Sequence, residues 1–262
     1  MTTKFTSSLI LLFIFAGCGS DSNSNNSESN NSESNKSKNN EQTQHNQEYI
    51  SLDENGNMEL DKSILDDIPK SDLSEIEKKA LIFVREEEKL ARDVYIYLDK
   101  RYESETKIFG NIQKAEQTHT DSVKILLDRY NIDDPMTNDE DADLGVFKNQ
   151  DLQKLYNDLT SKGAISKIDA IEVGLIIEDL DIRDIEIYIS QSDNEDIKTI
   201  FKSLVKGSEN HLKAFYNKYE GNLYTPKYIS QERYKQIISS DSDSHNGQEN
   251  ELDNFPPQVP TS

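Results

Sequence analysis

Five side chains able to ligate a metal, Glu88, Glu116, His119, Glu178 and His211, each interrupt an otherwise apolar helical stripe. Glutamate is almost never buried unless it is paired, and an uncompensated buried carboxylate costs several kcal/mol. No Lys or Arg shares these stripes to neutralise them; Arg92 and Arg183 fall one position off. A pair of divalent cations resolves the conflict, because its charge favours ionised ligands in a dry setting. Glu116 and His119 stand three residues apart and so project from one helix in the same direction. Dinuclear iron or manganese sites in helical bundles take a lone Glu from each of two helices and a Glu-x-x-His from each of the other two; along this chain the order is Glu88, then Glu116 with His119, then Glu178, then His211. Spacing does not separate the two metals, which share these ligands. Of the four histidines, His45 and His245 sit in polar ends of the chain, and the other two both lie on these stripes.

The elements that must carry these residues are helices. From residue 71 to 239 apolar positions recur at three- and four-residue steps, with Gly and Pro scarce inside the periodic segments. The first helix starts near Ser74, where Ser74 and Glu77 make a capping box, and runs to about Tyr102 with Leu81, Val84, Glu88, Ala91, Tyr95 and Leu98 on one face. At about 28 residues it is about 42 Å long. The second runs from about Thr106 to Tyr130 with Ile112, Glu116, His119, Val123 and Leu126 aligned. A long link follows, with an acidic loop at 133–143 and a short helix at 149–161. The third helix begins near Ser166 and aligns Ile171, Gly174, Leu175, Glu178, Ile182 and Ile185. The fourth begins after Asp193 and aligns Phe201, Leu204, Ser208, His211 and Phe215. Short joints make helices 1 and 2 antiparallel, and likewise 3 and 4. The long link between 2 and 3 permits a crossover, which predicts an all-α, ferritin-like four-helix bundle in up-down-down-up order with one long connection.

The ends read differently. The opening MTTKFTSSLILLFIFAGC has a lone Lys4, an apolar run from Leu9 to Ala16, and small residues before Cys18. That run is too short to span a bilayer as a helix and long enough for a secretory signal core. Its FAGC ending resembles a bacterial lipoprotein signal, which predicts a signal peptide at 1–17, a lipidated Cys18 and anchorage in the cell envelope. Gly19 and Ser20 after the Cys favour an outer-membrane or outward-facing place. At 19–47, 17 of 29 residues are Ser or Asn and none is apolar, so a disordered tether is expected over 18–47. A lead-in at 48–70 carries an Asn55-Gly56 turn between short apolar runs, the pattern of a small hairpin. The polar, Pro-bearing tail at 239–262 is expected to be disordered.

Composition sets exclusions. With 29 basic and 50 acidic residues the formal charge is −21, and mean hydropathy is −0.80. A chain this acidic does not bind nucleic acid through its net field and draws cations instead. One Cys excludes an internal disulfide framework and Cys-rich zinc or iron–sulfur sites. Asp139-x-Asp141-x-Asp143 resembles an EF-hand start, but its Gly is at 145, one place late, and no Glu closes the loop.

In Glu88-Lys-Leu-Ala91-Arg92-Asp93-Val-Tyr95, a Glu followed by Ala at three and Tyr at seven resembles the first metal-bearing helix of rubrerythrin and ferritin proteins. More closely, residues 72–238 resemble the bacterial and archaeal family known as domain of unknown function 2202, assigned to the ferritin-like superfamily. The matching phrases are REEEKLARDVY (85–95), AEQTHTDSVKILLDRY (115–130), EVGLIIEDLDIRDIE (172–186), GSENHLKAF (207–215) and YTPKYISQERY (224–234). The resemblance implies that Glu88, Glu116, His119, Glu178 and His211 occupy ligand positions. It departs at Ser208, where a second Glu-x-x-His would place its Glu. Asp181, one turn from Glu178, can supply the missing carboxylate, as in relatives with two carboxylates on that helix. Glu209 is one step off the His211 face. Glu172 and Asp179 fall outside the Glu178 stripe, and a solvated face is the reading for Glu172. Tyr95, at core spacing, can hydrogen-bond a ligand carboxylate from outside the metal's own shell.

Three functions are consistent with these residues. The first is redox chemistry at a di-iron centre, of ferroxidase or peroxide-scavenging type. One Cys leaves no rubredoxin-type module, so any electron donor would be a separate partner. The second is metal capture or buffering at the envelope without turnover. The third is a metal-free helical interaction module with its acidic residues satisfied by hydrogen bonds.

Overall fold

The computed structural model describes residues 50–52, 58–60, 62–136, 143–221 and 223–240. The signal peptide, Cys18, the tether, His45, the tail beyond 240 and His245 lie outside these residues, as do Asp139 and Asp141 of the acidic loop. Two short strands, β1 (Ile50–Leu52) and β2 (Met58–Leu60), pair antiparallel with Ile50 opposite Leu60. The Asn55-Gly56 turn expected between them is also outside the described residues. A single 3-10 turn at Lys62–Leu65 leads into the helices.

Four of the six described helices start where a cap side chain supplies an oxygen for the free amides of the first turn. Helix α1 (Glu75–Tyr102) opens on the capping box: Ser74 Oγ accepts from the Glu77 amide at 3.2 Å, and Glu77 Oε2 accepts from the Ser74 amide at 2.8 Å. Helix α2 (Ile108–Tyr130) follows a short joint and ends on Asn131 in the left-handed region, φ 54°, a conformation that Asn tolerates. Helix α3 (Gln150–Gly163) is capped by Asn149, and α4 (Lys167–Gln191) by Ser166. Helix α5 (Glu195–Tyr216) begins after a three-residue turn, and α6 (Gln231–Ser239) is capped by Ser230.

The bundle is α1, α2, α4 and α5. The second carboxylate oxygen of Glu77, Oε1, reaches past its own cap to accept from Ser192 Oγ (2.6 Å) and from the Asn194 amide and side chain (3.2 and 2.9 Å). The start of α1 therefore sits at the end of α4. At the same end of the molecule, Tyr130 donates to Asp196 Oδ2 at 2.7 Å and Arg129 Nε stands 2.9 Å from it, joining the end of α2 to the start of α5. These ties make α1 antiparallel to α4 and α2 antiparallel to α5, which gives the up-down-down-up order with one long crossover. The crossover carries α3, which packs on α1 and α4.

Residues 84–95 of α1 are all buried, including Arg85, Glu86, Glu87, Glu88, Lys89, Arg92 and Asp93. The face turned away from the bundle centre grips the crossover. Lys89 Nζ donates to Asp93 Oδ2 (2.5 Å) and to the carbonyls of Asp143 (2.6 Å) and Val146 (3.2 Å), and it lies 4.4 Å from the centre of the Phe147 ring. Glu86 Oε1 accepts from the amides of Lys148 and Asn149 at 2.6 and 3.2 Å. Asp93 takes the Gly145 amide at 2.8 Å and the Arg92 guanidinium at 2.8 and 2.9 Å. Buried charges on this scale are stable only as satisfied networks of this kind.

Helix α6 adds a flank that the periodicity did not separate from the bundle. The strap before it is held by Asp179, which accepts from Tyr224 Oη (2.9 Å) and from the amides of Lys227, Tyr228 and Ile229 at 2.5, 3.2 and 2.8 Å. Asp179 is thus fully buried, on the side of α4 away from Glu178.

Candidate metal centre

Four helices deliver one cluster to the middle of the bundle. Glu88 comes from α1, Glu116 and His119 from α2, Glu178 from α4 and His211 from α5. All five are buried. Glu116 lies between the two imidazoles: its Oε2 is 3.0 Å from His119 Nδ1 and its Oε1 is 2.7 Å from His211 Nδ1. Glu88 Oε2 approaches the same His119 nitrogen at 3.2 Å, and Glu178 Oε2 approaches the His211 nitrogen at 3.6 Å. The imidazole rings stack with centroids 5.3 Å apart and planes 25° apart. The cluster has two lobes that share Glu116, each with one imidazole and one further carboxylate. Ligand atoms of Glu116, His119 and His211 all fall within 4.8 Å of one another.

Hydrogen bonding leaves much of the cluster unsatisfied. Among the described residues, Glu88 Oε1, Glu178 Oε2 and both oxygens of Asp181 are buried with no hydrogen-bond partner. Tyr95 Oη, fully buried on α1, donates to Glu178 Oε1 at 2.5 Å and fixes that carboxylate's orientation. Ser208 is buried beside His211 on α5, but its hydroxyl donates to the Leu204 carbonyl of its own helix at 3.2 Å. Glu209 pairs instead with Arg233 of α6, and half-buried Glu172 pairs with Lys162 at 3.0 Å rather than standing in solvent.

Protonation follows from this geometry. Burial disfavours the charged imidazoles, but the facing carboxylates outweigh it, lifting His211 to about 9 and His119 well above its ordinary value. Burial raises Glu88 to about 7 against the opposing pull of His119. Burial also works to raise Glu116, but the two imidazoles between which it lies hold it below the ordinary carboxylate range. Burial and the surrounding carboxylates push Asp181 well above its ordinary value. Without a cation, the cluster is held together by protons.

Two features were not visible in the stripes. Gly207 lies against His119: a methyl group there would stand 2.4 Å from Nε2. Glu87, beside Glu88, is equally buried and has no amide or hydroxyl donor on either oxygen among the described residues. A Gly at a bundle face was the available signal for the first. For the second, a fully apolar partner stripe was not there to be read, because α1 is buried on every side.

A helical bundle that encloses a carboxylate–imidazole cluster among four helices is the class that this fold and these side chains define. Within it, the chain belongs to the family described as Uncharacterized protein domain (DUF2202), whose profile matches residues 77–241 and so includes all five cluster residues. It is 51% identical over 179 residues to Uncharacterized protein MJ0754 of Methanocaldococcus jannaschii, an alignment that spans 67% of this chain and 94% of that protein. The fold is similar to the crystal structure of hypothetical protein MJ0754 from Methanococcus jannaschii DSM 2661, with a TM-score of 0.62 and 50% identity over 67% of this chain and 99% of that one.

Proposed function

We propose that the protein is a ferritin-like, envelope-anchored metalloprotein whose cluster holds two iron or manganese ions and reacts with dioxygen, peroxide or Fe(II). The observation that carries this reading is the convergence of three carboxylates and two imidazoles in one buried cluster, with Glu88 Oε1, Glu178 Oε2 and both oxygens of Asp181 lacking a hydrogen-bond partner among the described residues. Several carboxylates and two imidazoles converging in a dry bundle fit hard-to-intermediate divalent ions, and the unpartnered atoms are on the side chains that would do the ligating. One lobe would use Glu88, Glu116 and His119; the other would use Glu116, Glu178 and His211, with Asp181 in place of the carboxylate missing at Ser208. A redox-active metal bound there supplies electron transfer to or from dioxygen, peroxide or ferrous ion.

The chain's own residues prepare that chemistry. Glu116 bridges the lobes, Tyr95 holds Glu178 in place, and the apolar walls from Leu81, Val84, Leu126 and Ile182 exclude water. The imidazoles give up their protons when a cation takes their place. Lipidation of Cys18 behind a cleaved signal would hold the domain at a membrane surface; among the described residues no helix is long and apolar enough to cross a membrane.

The test is elemental analysis of protein purified anaerobically, beside its His119→Ala variant. Stoichiometric iron or manganese in the first and its loss in the second is the expected result. Near-ultraviolet absorbance of the Fe(II)-loaded protein after mixing with oxygen or peroxide then separates turnover from storage. Metal without reaction would leave a buffering protein, and no metal would remove the reading.

A further inference from the structure

A second set of carboxylates leads away from the cluster. Glu178, Asp181 and Asp184 follow one another at three-residue steps on α4, so they form a row about 9 Å long at 1.5 Å per residue. Glu87 of α1 faces the row. Burial raises Asp181 and Glu87 most; after burial, the charge of Glu87 raises Asp181 most, and the charge of Asp184, with a hydrogen bond between the two carboxyls, raises Glu87 most. Glu87 and Asp181 are each 1% exposed; Asp181 has no hydrogen-bond partner on either oxygen among the described residues, and Glu87, with no amide or hydroxyl donor there, meets the carboxyl of Asp184. Asp184 sits at the outer end, 16% exposed, with Arg183 Nε 2.6 Å from its Oδ1. Arg183 is itself 29% exposed and rests over the Tyr228 ring at 5.0 Å. The row therefore runs from a partly open aspartate paired with a partly exposed arginine, to two buried carboxylates, and then to Glu178.

These groups do not close into a cage, since among the described residues only Glu116, His119 and His211 bring three ligand atoms within 4.8 Å of one another. Glu87 and Asp184, strung out beyond the centre and apart from its imidazoles, do not suit a resident ion. They suit an ion in transit, which needs partial replacement of its water at each step and weak enough binding to move on.

We propose that Asp184 and Glu87 are successive holding points by which a divalent cation passes from solvent to Asp181 at the edge of the metal centre. The inference rests on the metal reading given above, and its experiment separates the two. The full chain, freed of metal, is mixed with Co(II), and the visible ligand-field absorption of cobalt at the imidazole-containing centre is followed by stopped flow. Glu87→Gln and Asp184→Asn are expected to slow the rise about tenfold, with the final amplitude kept. Asp184 contributes nothing to the centre itself, so a slower rise in its variant reports passage rather than ligation. Glu105→Gln, which removes one exposed charge elsewhere, is expected to leave the rate unchanged. His119→Ala is expected to lose the amplitude.

If Glu87→Gln and Asp184→Asn fill at the original rate, or if Glu105→Gln slows filling as much as they do, the route is wrong while the centre stands. Loss of amplitude in Asp184→Asn would also overturn the route, by making that residue a ligand. If His119→Ala keeps the full amplitude, the centre itself is wrong. Unchanged circular dichroism in each variant establishes that the fold is intact.

Discussion

His119 is held against the backbone of Gly207, across the interface between α2 and α5, with no room for a single methyl group between them: Cβ would lie 2.4 Å from Nε2. The imidazole cannot retreat, because it is fully enclosed and its Nδ1 is committed to Glu88 and Glu116. Gly207→Ala should therefore displace the ring and weaken metal binding about 10- to 100-fold. Equilibrium titration with Mn(II) measures the affinity, and a thermal melt of the metal-free form should also show a loss.

Tyr95 and Glu178 form the shortest tie between α1 and the cluster, at 2.5 Å. Tyr95→Phe keeps the ring packed against Phe109 and Phe215 but removes the hydroxyl that donates to Glu178 Oε1. The expected cost is about 1–3 kcal/mol, the penalty for a buried acceptor left unsatisfied. Urea denaturation of the metal-free protein measures it. A bound cation should recover part of the loss by taking the charge of Glu178.

The pH dependence of the metal-free protein has a definite sign. His211 is raised from 6.5 to about 9, so its stabilising charge is fully present below 6.5 and is lost as pH rises through 9. Glu88 is raised from 4.5 to about 7, so ionising it across that interval costs stability as well. Both act in one direction: calorimetric melting temperature should fall as pH increases from 4.5 to 9. Metal binding should release protons, counted by titration calorimetry in buffers of different ionisation enthalpy, and the loaded protein should lose less stability over the same interval.

Asp179 should matter for the strap and not for the centre. Its carboxylate collects three backbone amides and a phenol from 224–229. Asp179→Ala leaves those donors buried and unpaired and should cost about 3 kcal/mol or more. Limited proteolysis should then cut between α5 and α6 while Mn(II) affinity stays near its original value.

The helices were legible because their signals are local. Ser74 with Glu77, Asn149 and Ser166 mark starts, and three- and four-residue apolar steps carry the rest. The cluster was legible because a Glu or His on an apolar stripe is conspicuous. What the stripes hid were residues whose partners are distant in sequence. Glu86, Lys89 and Asp93 are polar in the motif and buried in the fold, because the crossover at 143–149 folds back over them. Asp179 looks like any off-stripe acid until the strap at 224–229 closes on it. Glu87 escapes for the same reason: a helix enclosed on all sides shows no single wet face against which a stray charge stands out.

That enclosure makes the middle of α1 a shared axle. Twelve consecutive positions, 84 to 95, meet neighbours all the way round. One side of the axle touches the cluster through Glu88 and Tyr95; the other holds the crossover through Glu86, Lys89 and Asp93. A small rotation of this turn, such as a bound ion would ask of Glu88, must tug on the loop across the helix, so the occupancy of the interior can be felt on the outside of the molecule.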